Sequence, residues 1–193
     1  MQVQQETIQG PPRRTPFIDI LNRAIGLGQK VGAVANSRLE KAALMDAAAA
    51  RTGLSDFGDP WFEQPFSVLL ESLREEAKLN TAGELAARLQ FGKVLRDRLT
   101  AMEWFKRHPE ILERRIMRPV VIVGPMRSGT TRLHRLLASD HRFSHMRSFE
   151  TISPVPRLDF EEVLAGRKRD FRPTLAKRIM RGARLANPRT LSI

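Results

Sequence analysis

Residues 119–137 read PVVIVGPMRSGTTRLHRLL, and they restrict what this chain can fold into more than any other stretch. Val120, Val121, Ile122 and Val123 form an unbroken β-branched run, the pattern of a short strand buried on both faces. Residues 124–129 make a small-residue turn between two glycines. Beyond them Leu133, Leu136 and Leu137 fall at i, i+3 and i+4, which predicts a helix packed on a sheet. A strand, a glycine-bounded loop and a helix together aim backbone N–H groups and a helix N-terminus at one anion. The stretch therefore predicts a phosphate-type or sulfate-type ligand.

The loop also limits that ligand. Gly124 and Gly129-Thr130-Thr131 keep the spacing of a Walker A loop, but Thr130 stands where that loop requires Lys. An ordinary ATPase or GTPase site would thus lack its main cation. Arg127 is the positive charge inside the turn, and Ser128, Thr130 and Thr131 add hydroxyls. A planar guanidinium suits bidentate contacts to phosphate or sulfate oxygens. The bland alternative, a tight strand–helix turn without a ligand, is outweighed by the agreement of strand, Arg127, hydroxyls and amphipathic helix.

The run VGPMRSGTTRLHRLLA, residues 123–138, resembles the 5′-phosphosulfate loop of sulfotransferases, whose usual form is PRSGTT or PKSGTT. The stretches RTGLSDFGDPWF (51–62), WFKRHPEI (104–111) and SFETISPVP (148–156) resemble further regions of bacterial members. Pro125 and Met126 are exchanged relative to the commoner order, which alters the turn but leaves residues 127–131 in place. The resemblance implies an α/β fold: a P-loop-like parallel sheet, the start of a three-layer arrangement, preceded by a helical region. It implies transfer of a sulfuryl group from 3′-phosphoadenosine 5′-phosphosulfate (PAPS) to a hydroxyl or amine of a small acceptor, with no metal. Arg127, Ser128, Gly129, Thr130 and Thr131 would hold the 5′-phosphate and steady the departing charge.

An attacking hydroxyl must also lose a proton, so a base is required. Residues 143–147 read as a second strand; in a right-handed parallel unit, the residues just past it lie on the same sheet edge as the loop. That position holds Glu150, the candidate catalytic base, and the tyrosylprotein branch of the superfamily has a Glu at a similar place. The competing role for Glu150 is a surface pair with Arg147 or Arg157. His141 and His145 are weaker candidates, and His134 reads as a solvated helix residue.

The net charge of +12 is unevenly distributed. Residues 1–106 carry 14 Lys and Arg against 13 Asp and Glu, whereas residues 107–193 carry 19 against 8. The basic half contains the phosphate loop, as electrostatic steering of a polyanionic donor would favour. Its densest part lies in residues 167–189, where Leu175, Ile179, Ala183 and Ala186 at helical spacing predict a basic amphipathic helix ending before Pro188. Nucleic acid, an anionic membrane and an uncovered domain segment compete to explain it. The third is preferred, and nucleic acid is disfavoured by the lack of aromatic stacking residues among the later basic residues.

The absence of Cys excludes disulfides, thiol catalysis and Cys zinc sites and suits a reducing cytoplasm. No signal-peptide pattern or membrane-length apolar run occurs. Residues 1–16 are expected to be disordered, residues 17–117 helical, and residues 118–193 the start of an α/β domain. In the helical region, capping boxes are predicted at Ser37-Arg38-Leu39-Glu40 and Thr81-Ala82-Gly83-Glu84. Trp61 and Trp104 are expected in the core. With only two strand-like segments, the chain is expected to be an N-terminal portion of a longer sulfotransferase. A nucleotide kinase or other P-loop phosphotransferase is the rival enzyme reading, and an inactive remnant or basic binding module the non-enzyme one.

Overall fold

The computed structural model describes residues 16–30 and 39–186. The Ser37 end of the first capping box, nearly all of the N-terminal segment expected to be disordered, and the end of the chain after Ala186 lie outside the described residues. Nine α-helices are described: α1 (Pro16–Lys30), α2 (Lys41–Thr52), α3 (Glu63–Glu75), α4 (Thr81–Arg107), α5 (Glu110–Glu113), α6 (Thr130–Ala138), α7 (Ser148–Ile152), α8 (Phe160–Leu164) and α9 (Arg172–Ala186). A 3₁₀ turn, Pro60–Phe62, leads into α3, with the Asp59 carboxylate accepting from the Trp61 N–H at 3.0 Å.

The chain divides into two compact units. The described residues of one are 16–30, 39–48, 59–94 and 178–186, and its core gathers Ile25, Leu39, Leu44, Ala48, Leu70 and Ala82. Leu44 and Ala48 lie one turn apart on α2, and Phe66 of α3 meets Phe91 of α4 edge-on at 5.6 Å. The start of α4 is held twice: Asn80 Oδ1 accepts from the Gly83 N–H at 2.8 Å, and Asn22 Oδ1 of α1 accepts from the Ala82 N–H at 2.9 Å. The cap is thus Asn80, not Thr81 as the capping-box pattern predicts. Asparagine's short carbonyl reaches the N3 donor from one residue earlier.

The other unit comprises residues 49–58 and 95–177, with Leu95, Leu99 and Ala176 buried. Gly53 closes α2 in the left-handed conformation (φ 70°), its N–H donating to Ala49 C=O at 2.8 Å. The loop after Gly53 lies against the last turns of α4. Arg98 Nε donates to Phe57 C=O at 2.6 Å, and Lys106 Nζ pairs with Asp56 at 2.7 Å. Trp104 is half-buried and donates to Pro156 C=O at 3.0 Å. Trp61, in the first unit, is 69% exposed and no core residue.

No strand occurs among the described residues. The α/β class expected from the sequence, a P-loop-like parallel sheet begun by residues 120–123 and 143–147, is therefore corrected: the described fold is helical. Both segments lack regular secondary structure, and Val120, Val121 and Val123 are 61%, 76% and 87% exposed. The physical reason is that a strand exists only through its neighbours. An isolated pair is marginal even when antiparallel, and parallel pairing is slightly weaker per residue. Two short segments cannot offset the ordering cost that a larger sheet would share.

Candidate functional site

The loop of residues 124–131 keeps a defined shape without a strand before it. The Ser128 N–H donates to Pro125 C=O at 3.3 Å, closing a turn over Met126 and Arg127. Arg127 (φ 64°) and Gly129 (φ 90°) both lie in the left-handed region, which costs an Arg more than a Gly. The reversal brings the chain back on itself: a Cβ on Gly124 would sit 2.6 Å from Ser128 Oγ and 3.1 Å from Thr130 Cγ2. A side chain there would require the Ser128 hydroxyl to rotate or the turn to open.

Gly129 is the N-cap of α6, and no side chain caps the helix. Its carbonyl accepts the first helical bond, from the Leu133 N–H at 3.0 Å. The N–H groups of Thr130, Thr131 and Arg132 precede that bond and have no intrahelical acceptor. The helix thus ends in outward donors and the positive end of its dipole. Ser128 and Thr131 are exposed and Thr130 half-buried. Arg127 is exposed, and no carboxylate among the described residues pairs with it. Three amides, three hydroxyls and a guanidinium within a few residues can surround one tetrahedral oxyanion. No group of three metal-ligating side chains occurs among the described residues.

Glu150 lies on α7, not at the end of a strand, so strand direction no longer carries it to the loop. It is half-buried, and its Oε2 accepts from the Arg147 N–H at 2.7 Å, capping its own helix. The expected competition from Arg147 is real, but through the backbone amide. No hydrogen bond or ion pair among the described residues joins Glu150 to residues 124–131. His134 of α6 and His145 of the 143–147 segment, which have separate readings in the sequence, meet edge-on with ring centres 6.2 Å apart. No spacing rule signals that pairing, because the two lie on different segments.

Downstream, Arg172 is by composition one charge among many in the basic stretch. In the structure it is 8% exposed, and its Nη2 pairs with Asp170 Oδ2 at 2.9 Å. Its guanidinium lies 5.4 Å from the Phe149 ring centre and 5.0 Å from that of Phe160. Burial disfavours the Asp170 carboxylate, but the hydrogen bonds and charge of Arg172 outweigh it and hold its pKa below the ordinary value. Lys168 bridges Asp159 and Glu162, each at 2.8 Å. A local sequence signal for the Arg172 pair exists: an Asp two residues before a helix start is an Asx-type turn, and the Arg172 N–H donates to Asp170 Oδ1 at 2.9 Å.

A solved structure is similar to this chain. The crystal structure of the sulfotransferase STF1 from Mycobacterium tuberculosis matches this chain with a TM-score of 0.62 at 28% identity, over 77% of this chain and 40% of that one. This chain thus spans 40% of the length of that sulfotransferase. The likeness is one of chain path, which a TM-score measures without regard to ladder hydrogen bonds, and it supports a sulfotransferase-like fold. No protein-family model matches the chain, and neither does any curated protein.

Proposed function

We propose that the loop of residues 124–131 binds the 5′-phosphosulfate end of PAPS and that this chain belongs to the machinery of sulfuryl transfer to a small hydroxyl or amine acceptor. The carrying observation is the loop itself. The close approach of Gly124 to Ser128, with Arg127 and Gly129 left-handed, supports a tight turn that carries a cation, hydroxyls and free amides within residues 127–132. The likeness to a mycobacterial sulfotransferase supports the same class of chemistry.

The bound donor would supply the sulfuryl group and leave with an extra negative charge on its phosphate. Arg127 and the N–H groups of Thr130 and Thr131 would stabilise that charge as the sulfur–oxygen bond breaks. Ser128 and Thr131 would orient the phosphate oxygens through their hydroxyls. Glu150 would accept the proton from the acceptor as its oxygen bonds to sulfur. Its Oε2 is held by the Arg147 N–H, which leaves Oε1 to take that proton. Arg127 would supply the positive charge that a metal ion supplies in other phosphate sites.

Calorimetry with 3′,5′-adenosine bisphosphate tests the assignment. The chain should bind, and Arg127→Ala should bind roughly 10- to 100-fold more weakly, as expected for a lost charge-assisted contact. Equal affinities would sink the loop assignment. Binding by neither protein would favour a remnant that keeps the shape without the function.

A further inference from the structure

The loop chemistry leaves one charged surface unused. On α9, residues Arg178, Arg181 and Arg184 fall within one arc at 3.6 residues per turn, along roughly 10 Å of helix. All three are exposed. Among the described residues no carboxylate lies within ion-pair distance of them. Leu185 lies within the same arc and is 54% exposed. Ile179 and Met180, at 41% and 40% exposure, sit on the opposite, apolar side, where Ala183 is half-buried.

We propose that this face of α9 is a peripheral docking surface for an anionic phospholipid bilayer. Two features support it: the charge, and an apolar side chain set among the charges. Unpaired arginines on one helical arc complement a sheet of lipid phosphates. Leu185 is what separates a bilayer from other polyanions: against a nucleic-acid backbone it would stay in water, whereas at a lipid interface it enters the acyl boundary beneath the headgroups. The arc also lacks Asn, Gln or aromatic side chains for reading bases. Ala183 faces the protein, so the helix would lie on the surface with one side still packed, not inserted along its whole apolar stripe. This surface is independent of the donor loop.

Co-sedimentation with vesicles tests the inference. The chain should pellet with phosphatidylglycerol–phosphatidylcholine vesicles but not with pure phosphatidylcholine, and added salt should release it. R178Q/R181Q/R184Q should lose roughly a hundredfold in partitioning, from about a fivefold contribution per cation. L185S should weaken binding to the same vesicles while keeping every charge. All four positions are solvent-facing, and circular dichroism of each variant checks that α9 remains folded. The proposal is overturned if the parent chain ignores anionic vesicles, if the triple variant or L185S binds them as the parent does, or if the arginines serve duplex DNA while vesicles are left unbound.

Discussion

At Gly124 a methyl group would press on Ser128 Oγ at 2.6 Å and on Thr130 Cγ2 at 3.1 Å, both side-chain atoms of the loop. Gly124→Ala must rotate the Ser128 hydroxyl or open the turn. Either change moves donors that have to converge on one anion. The substitution is expected to weaken 3′,5′-adenosine bisphosphate binding by about tenfold or more while thermal stability stays close to the parent's, since the loop is exposed. Calorimetry on G124A, S128A and the double variant closes a double-mutant cycle. Removing the Ser128 hydroxyl should recover part of the loss, because it removes the closer of the two contacts. Arg172 makes the complementary point at the same scale. A residue that counts as surface charge in composition is buried against two phenyl rings and a carboxylate.

Among the elements, the loop of residues 53–58 is tied to the end of α4 by an ion pair and a hydrogen bond. Asp56 accepts from Lys106 and from the Gly58 N–H, each at 2.7 Å, and Arg98 holds the Phe57 carbonyl. The Lys106 hydrogen bond, followed by that of Gly58, draws the Asp56 pKa below its ordinary value; the same bond raises that of Lys106. A lowered carboxylate pKa means the stabilisation is complete above the unfolded value, near 3.9, and fades as pH falls through the folded one. A raised lysine pKa means that its share persists below the unfolded value and is lost only at strongly alkaline pH. Asp56→Asn should therefore lower the melting temperature at neutral pH, and the gap to the parent should close in strong acid, where both side chains are uncharged. A pH series of thermal melts measures it; a gap that persists unchanged into acid would show the ion pair to be immaterial. On α7, the same kind of local bond ties Glu150 to its own helix start, and a Glu150→Gln variant would keep an acceptor there while losing the proton-accepting role.

For the molecule as a whole, the exposed valines are the main consequence of a fold without strands among the described residues. Val121 and Val123 stand at 76% and 87% exposure, close to Met126 at 96%. Contiguous exposed apolar surface binds hydrophobic dyes and promotes self-association. Val121→Thr with Val123→Thr should reduce dye fluorescence and self-association without lowering the melting temperature; a clear drop in melting temperature would mean these side chains are packed in solution. No helix among the described residues is long and apolar enough to cross a membrane. Much was legible in the sequence wherever the determining contacts are local. The α6 helix, the Gly53 stop of α2, the basic amphipathic character of α9 and the hydroxyl-rich turn with Arg127 all follow from bonds within a few residues, whereas the packing of the α6 stripe on a sheet did not hold: Leu133 and Leu136 are 46% and 68% exposed. The expected sheet failed because a strand has no local partner: Val120 to Val123 state a preference, and only distant segments can satisfy it. With it went the strand-direction argument for Glu150, whose role as base now stands as a proposal on α7. The same nonlocality decided that Arg172 is buried, that His134 meets His145 and that Trp61 faces water. Sequence alone determined the set of donors that residues 124–131 offer to an anion, because glycine conformation, helix start and side-chain type are written within that stretch. Tertiary structure alone decided which extended segments pair and which charges are covered, because burial and strand pairing depend on residues far apart in the chain.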